Sequence, residues 1–340
     1  MKSSLNFKTY IFVLVLAVAP FQDFFAQDIQ LTQFYSAPCF LNPALAGDES
    51  CARLTTNFRK QWPAAGNGYT STLVSYDSYV HAVHGGLGFL YTRDVAGTAN
   101  LATTSFSGIY NYQIQIDRNW QACFAAQVGG VTKIVNYYNL LFGDQIARGG
   151  APTTIEALPQ RANFLDISSG MMIYSHDMWY GLSVHHLNTP NESMLGAKSK
   201  LPMKISLQGG ETFNIGGKNG DLRATDMSVT VAVNYKHQAK FDQLDVGAYL
   251  NKNNFVGGIW YRGIPGFLKS YKPGYPNNDA LCFLIGYISD RFRLGYSYDQ
   301  TISWLIGNTR GSHEVSFAYQ FCAYTKFRPK KRFVVSCPKF

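Results

Sequence analysis

The 340-residue chain lacks any apolar run long enough to cross a membrane as a helix. Its longest, Tyr10 to Ala19, is about ten residues, against the roughly 20 that a spanning helix needs. Lys2 and Lys8 precede that run, and Phe24-Phe25-Ala26 follows it. This is the order of a Sec-type signal peptide cut after Ala26. The absence of a cysteine just after the cut argues against a lipid-anchored N-terminus. Charge is scarce as well, at 15% of residues against about 25% in average soluble proteins. In lipid every backbone polar group needs an internal partner, so only helices and closed barrels span it. An exported chain without spanning helices is therefore a soluble β-protein or an outer-membrane barrel.

The motifs of catalysis are missing too. There is no Gly-x-Ser-x-Gly turn, and Ser183 and His185, which share one face of a strand, have no visible third member. Gly85-Gly86-Leu87-Gly88 falls within a strand rather than at a strand–helix turn. It reads as a bend or a close approach of a neighbour, not as a phosphate loop. His81 and His84, and the pair His185-His186, have no Cys-x-x-Cys or third histidine nearby, so structural or solvating roles are favoured over metal. No enzyme, cofactor or metal is expected. The six cysteines are Cys39, Cys51, Cys123, Cys282, Cys322 and Cys337. Cys51 opens the first expected strand and Cys322 closes the last, with Cys39 and Cys337 in flanking segments on the same side. A disulfide clasp at that rim and free buried thiols remain open alternatives, because connectivity is not readable from sequence.

What the chain does have is aromatics, 22 Tyr and 24 Phe, in the amount that two membrane girdles use. It also has strict alternation. Met227, Val229, Val231, Val233 and Tyr235 oppose Ser228, Thr230, Ala232, Asn234 and Lys236. The same period of two runs through Phe106–Ile116, Phe292–Tyr298 and Val315–Phe321. Tight links near 81–84, 117–118, 176, 252–253 and 289–290 alternate with longer ones at 60–68, 135–162, 189–199, 264–279 and 301–311. The links 214–224 and 237–239 break the pattern. The expected fold is all-β: a transmembrane antiparallel β-barrel of about 14 strands, with short periplasmic turns and longer extracellular loops. One of those strands is placed at 177–188. Residues 1–26 are the expected signal peptide and 27–50 an N-terminal periplasmic or lumen segment. Residues 51–323 form the barrel, and 324–340 a basic periplasmic tail. Pro38 and Asn42-Pro43 make 27–50 irregular, folded into the periplasmic mouth. Removing the signal takes the net charge from +9 to +8. The basic residues gather in the tail, with Lys330, Lys331 and Arg332 as an anchor for an acidic partner; nucleic acid is not expected.

Gln33-Phe34-Tyr35-Ser36-Ala37-Pro38-Cys39-Phe40-Leu41-Asn42-Pro43-Ala44-Leu45-Ala46-Gly47 closely resembles the mature N-terminus of the PorP/SprF family of type IX secretion system membrane proteins. Phe58-Arg59-Lys60-Gln61-Trp62-Pro63 is similar to a further family motif, as are Ser75-Tyr76-Asp77 and the glycine-rich Gly85–Gly97 stretch. Arg293 to Asp299, Gly311-Ser312-His313-Glu314 and Cys337-Pro338-Lys339-Phe340 complete an ordered set spanning the mature chain. Ile29 and Ala37 depart from it, where proline and asparagine are common. The resemblance implies a non-enzymatic barrel integral to the bacterial outer membrane and its lipid. It would work with other type IX secretion proteins to export or hold a secreted adhesin-type cargo through its C-terminal domain, and in some lineages it serves gliding motility. It brings forward Leu41, Asn42, Pro43, Gly47 and Trp62 as partner-binding candidates beside Lys330, Lys331 and Arg332. A diffusion channel for small solutes is the alternative.

Overall fold

The computed structural model describes residues 28–49, 51–66, 68–137, 140–150, 152–155, 161–194, 196–215, 227–264, 278–303, 307 and 309–322. The expected signal peptide and basic tail, with Cys337, lie outside them.

Fourteen antiparallel strands close on themselves in sequence order, with β1 hydrogen-bonded to both β2 and β14. They are β1 Ala52–Gln61, β2 Tyr69–Val80, β3 Gly85–Ala96, β4 Leu101–Gln115, β5 Gln121–Ile134, β6 Arg161–Tyr174 and β7 Met178–His185. The second half comprises β8 Lys204–Asn214, β9 Met227–Gln238, β10 Phe241–Lys252, β11 Phe255–Gly263, β12 Asn278–Ile288, β13 Phe292–Thr301 and β14 Ser312–Phe321. Closure removes every sheet edge, which is what lipid requires of a spanning β-structure. Most short links fall on one side and most long ones on the other, with 97–100 and 239–240 short among the long ones and 215–226 long among the short ones, so both ends of the barrel sequence lie at the periplasmic rim.

There Cys51 and Cys322 form a disulfide. It staples β1 to β14, the one strand pair with no hairpin to hold it. Cys39, Cys123 and Cys282 are buried thiols. Cys39 is not at the rim, as its place in sequence implies, but inside the lumen.

Period-two alternation sorts the two faces. Phe106, Tyr110, Tyr112 and Ile114 of β4 are exposed on the outside, whereas Ser107, Ile109 and Asn111 are buried on the inside. On β9, Val231 is 41% exposed and Thr230 2%. Val231→Arg therefore places a charge toward lipid near mid-strand, at an expected cost of about 2–4 kcal/mol. Thr103→Arg, toward the open outer end of the lumen, is expected to be close to neutral. Unfolding in detergent, followed by the heat-dependent gel shift, checks the difference; equal losses would reverse the faces. Thr230 itself is no water-facing position. It is packed inside and hydrogen-bonded to Thr212 of the neighbouring strand β8 at 3.0 Å.

Strand 177–188 is shorter than expected. His186 and Thr189 adopt left-handed backbone (φ +58° and +38°), and Pro190 follows, so β7 leaves the sheet after His185. Asn188 then covers β6, accepting from the Ile167 N–H and donating to the Leu165 carbonyl.

Candidate functional site: a plugged lumen with an outer vestibule

Residues 28–49 do not stop at the periplasmic mouth. They run the length of the lumen as a plug, from Asp28 at the outer end to Glu49 beside the start of β1. Prolines at 38 and 43 rule out a strand, and the segment folds into three short helical turns at Phe34–Ser36, Pro38–Leu41 and Pro43–Leu45. Such a segment has few backbone bonds of its own, so the wall must supply partners.

At the inner end, Arg53 of β1 holds Asp77 of β2 through Nε and Nη2 at 3.1 and 3.0 Å. Its Nη2 also donates to Asp48 at 2.7 Å and to the Leu45 carbonyl at 3.1 Å. Arg293 of β13 pairs with Glu49 at 3.0 Å. The Gly47 N–H donates to Asp77 at 2.8 Å. Gly47 has φ +67°, and a Cβ there would lie 2.5 Å from the Gly86 Cα. The glycine-rich start of β3 is thus a place where the plug touches the wall backbone.

In the middle, Asn42 does two jobs. Its Oδ1 accepts from the Ala44 N–H at 2.9 Å and caps the following turn. Its Nδ2 lies 3.2 Å from each of three acceptors: the Met171 and Leu182 carbonyls and Gln208 Oε1. Asn111 donates to the Ala44 and Ala46 carbonyls at 2.8 and 2.9 Å. A Cβ on Gly170 would lie 2.1 Å from Asn42 Oδ1, so only glycine fits that wall position. Beside these, Phe34 and Tyr35 pack on Trp260, with ring centroids 5.0 and 6.0 Å away, and Tyr35 meets Trp179 at 6.1 Å.

Toward the outer end lies a second buried ion cluster. Arg59 of β1 bonds Asp299 at 2.7 Å and Glu314 at 3.2 Å. Arg262 of β11 bonds Asp299 and Asp245, each at 3.1 Å. The plug completes it. Thr32 N–H donates to Glu314 at 2.7 Å and Gln33 N–H at 3.1 Å, while Thr32 Oγ1 donates to Asp299. Carboxylates that accept several charge-assisted bonds can sit in a protein interior where isolated ones could not.

At the outermost point Asp28 is gripped by Lys204 at 2.5 Å and by His186 Nε2 at 2.9 Å. His186 Nδ1 faces Asp166 at 2.9 Å. Burial disfavours the charged imidazole. The Asp28 charge and the hydrogen bonds to Asp166 and Asp28 outweigh it, and the pKa is pushed up to about 9. Burial likewise opposes ionisation of Asp28, but Lys204 and His186 hold its carboxyl well below the usual range. A histidine with a raised folded pKa gives stability that is fully present below its ordinary value near 6.5 and lost as pH rises through about 9. The Asp28 contribution is lost only in strong acid. The latch is thus expected to hold at neutral pH and loosen above about pH 9. His186→Gln should cost on the order of 2–3 kcal/mol at pH 7 and flatten the alkaline decline. Thermal unfolding of both proteins from pH 7 to 10 measures this; parallel curves would show that His186 is not the titrating group.

Of the residues singled out in the sequence, Leu41, Asn42, Pro43 and Gly47 are brought together inside the lumen, all buried. Trp62 stands apart at the outer rim, and Lys330, Lys331 and Arg332 fall outside the described residues. Ser183 and His185 both point inward, but the Ser183 hydroxyl donates to the Leu41 carbonyl at 3.1 Å and serves the plug. Among the described residues no three His, Cys, Asp or Glu side chains gather as for a metal ion. The wall charges that hold the plug were not among the candidates. Their signal was present, since Arg59, Asp77, Arg293, Asp299 and Glu314 all stand in motifs of the resemblance.

This architecture defines a 14-stranded outer-membrane β-barrel whose lumen is occupied by its own N-terminal segment. The model of the family "Type IX secretion system membrane protein PorP/SprF" matches residues 23–319, and the chain belongs to that family. No curated protein matches it. Among solved structures it is similar to the CymD monoaromatic hydrocarbon channel, with TM-score 0.48 and 10% identity over 85% of this chain and 94% of that one. A Pseudomonas aeruginosa FadL homologue gives 0.44 and 10%, covering 88% of this chain and 100% of that one. Outer membrane protein Omp33 of Acinetobacter baumannii gives 0.44 and 8%, covering 81% and 100%.

Proposed function

We propose that this barrel is a closed, non-enzymatic station of type IX secretion, which supports export or surface anchoring of a secreted adhesin-type cargo held through its C-terminal domain. The observation that carries the reading is the plug, fastened at its inner end, middle and outer end by buried polar contacts. A diffusion channel needs a free lumen, and a segment held by that many charge-assisted bonds is poorly suited to leave one. The basic residues Lys330, Lys331 and Arg332 are proposed to give the periplasmic end a contact with other secretion proteins, and a salt-sensitive one. Leu41, Asn42, Pro43 and Gly47 serve the partner indirectly on this reading, by holding the plug that shapes the surface it meets.

The test joins two measurements on protein taken from native membranes. Planar-bilayer recording is expected to show a silent barrel, and mass spectrometry of the co-purified material a secreted protein with a type IX C-terminal domain. A large steady conductance without any such partner would replace this reading with that of a solute channel.

A further inference from the structure

The plug is off-centre. At its outer end Thr32 and Gln33 lean on Asp299 and Glu314, and Gln30 bonds Gln243 of β10 at 2.6 Å. The opposite wall, β2 to β6, is left uncovered at that level. Two hollows of about 140 and 350 Å³ lie there, and they share Asp28, Ile29, Asp94, Thr103 and Lys133 as lining. The larger volume falls at the lower end of the roughly 300–1,000 Å³ typical of small-molecule sites. We propose that this outer vestibule binds a neutral carbohydrate of one or two sugar units, presented from the cell-surface side.

Charge decides against an anion. Lys133 is paired with Glu192 at 2.8 Å, Asp28 with Lys204 and His186, and Asp166 with His186. An anion would have to break one of these half-buried pairs, leaving its partner without compensation, and would meet the carboxylate of Asp94, which lines both hollows and accepts from the Ser71 hydroxyl at 2.5 Å. Leu90, Val131 and Phe164 give the wall an apolar side, but its polar groups argue against a purely hydrocarbon occupant. Thr92 and Ser105 share a hydrogen bond at 2.7 Å, Thr103 and Ser107 stand beside them, and Gln127, only 6% exposed, has its amide oxygen buried without a donor. A purely apolar occupant would desolvate these groups and return nothing, at about 1–3 kcal/mol for each group left unmade.

At the rim an aromatic surface completes the set. Trp62 lines the larger hollow together with Tyr69, their centroids 6.0 Å apart at 76°. Trp62 is held in left-handed backbone (φ +50°), with its N–H donating to the Gly311 carbonyl at 3.0 Å. That backbone and its bond to the neighbouring loop fix where the side chain leaves the chain, and the edge contact with Tyr69 supports the ring. A sugar ring offers hydroxyls around its edge and a C–H face. The one matches a row of Ser, Thr and Gln, and the other packs on indole.

The test uses the full chain in a zwitterionic detergent without a sugar headgroup. The probes are glucose, galactose, mannose, N-acetylglucosamine and delipidated outer-membrane polysaccharide, read by saturation-transfer NMR and tryptophan fluorescence. Binding in the millimolar range is expected for so small a contact, weakened by about tenfold or more in Trp62→Ala and in Gln127→Leu. Trp62→Phe should retain most of it, and Phe106→Leu on the lipid face all of it. The heat-dependent gel shift confirms that each variant is folded, and if Trp62→Ala is not, Gln127→Leu and Trp62→Phe decide. The proposal is overturned if no probe binds at roughly 10 mM, where a contact of this size should register. It is equally overturned if the vestibule variants bind as well as the unmodified protein. Binding of an uncharged Ser/Thr-rich peptide in place of any sugar would also overturn it and assign the vestibule to protein partners.

Discussion

Deletion of residues 28–47 is expected to turn a silent barrel into a conducting pore. The wall behind the plug is polar toward both of its ends, where Arg59, Asp77, Asn111, Gln208, Asp299 and Glu314 point inward, with an apolar band of Leu73, Trp179, Tyr249 and Trp260 between them. With the plug gone, these groups would be met by water, and barrels of 16–18 strands are already open channels. A closed circle of 14 strands lies between those and the filled eight-stranded kind, and among the described residues it is the plug that fills it. The barrel should survive the loss, because closure and the Cys51–Cys322 disulfide do not involve the deleted segment. It should nevertheless be less stable. Leu31, Phe34, Tyr35, Leu41 and Leu45 are all buried by this packing, and the deletion forfeits the roughly 1.5–3 kcal/mol that burial of each contributes. Single-channel recording of the folded variant measures the effect, and a synthetic peptide of residues 28–47 added in excess should close the pore again. A folded deletion variant that stays silent would show that something other than the plug seals the lumen.

The barrel itself was legible because its signal is local. Alternation over ten residues reports two environments wherever a strand separates lipid from something else, and links of two to four residues report hairpins. What lay on the inner side was not legible. Glu314, Asp299 and Arg59 alternate with Val315, Tyr298 and Phe58 just as water-facing residues would, yet they are at most 2% exposed. The environment of Glu314 and Asp299 is set by a segment more than two hundred positions away, as the 281-residue separation of Gln33 and Glu314 shows, and even Arg59 is 27 residues from Thr32. No local period carries such a contact. Pro38 and Asn42-Pro43 revealed that 27–50 is no strand, but a break in pattern says what a segment is not and leaves its place open. The same limit applies to Gly86 and Gly170. A glycine in a strand signals close approach, and only the structure shows that the plug is what approaches.

Arg59→Ala is expected to be the most damaging single substitution in the lumen. The guanidinium is 1% exposed and bridges Asp299 at 2.7 Å, Glu314 at 3.2 Å and Thr32 Oγ1 at 2.6 Å. Without it Asp299 keeps Arg262, but Glu314 retains only the N–H groups of Thr32 and Gln33 among the contacts described above. Removing one side of a buried pair typically costs about 3–5 kcal/mol, because the charge left behind is uncompensated. Arg59→Lys should recover only part of that loss, since an ammonium group cannot span two carboxylates with a planar fork. The penalty belongs to the stranded acid rather than to a missing attraction. Arg59→Ala combined with Glu314→Gln should therefore be more stable than Arg59→Ala alone, a non-additive result that a double-mutant cycle reads directly. Urea unfolding in detergent gives the free energies, and amide exchange at Thr32 and Gln33 shows whether the outer half of the plug comes loose with the charge. If Arg59→Ala unfolds within about 1 kcal/mol of the unmodified protein and the second substitution simply adds its own cost, the cluster does not hold the plug in the way its geometry implies.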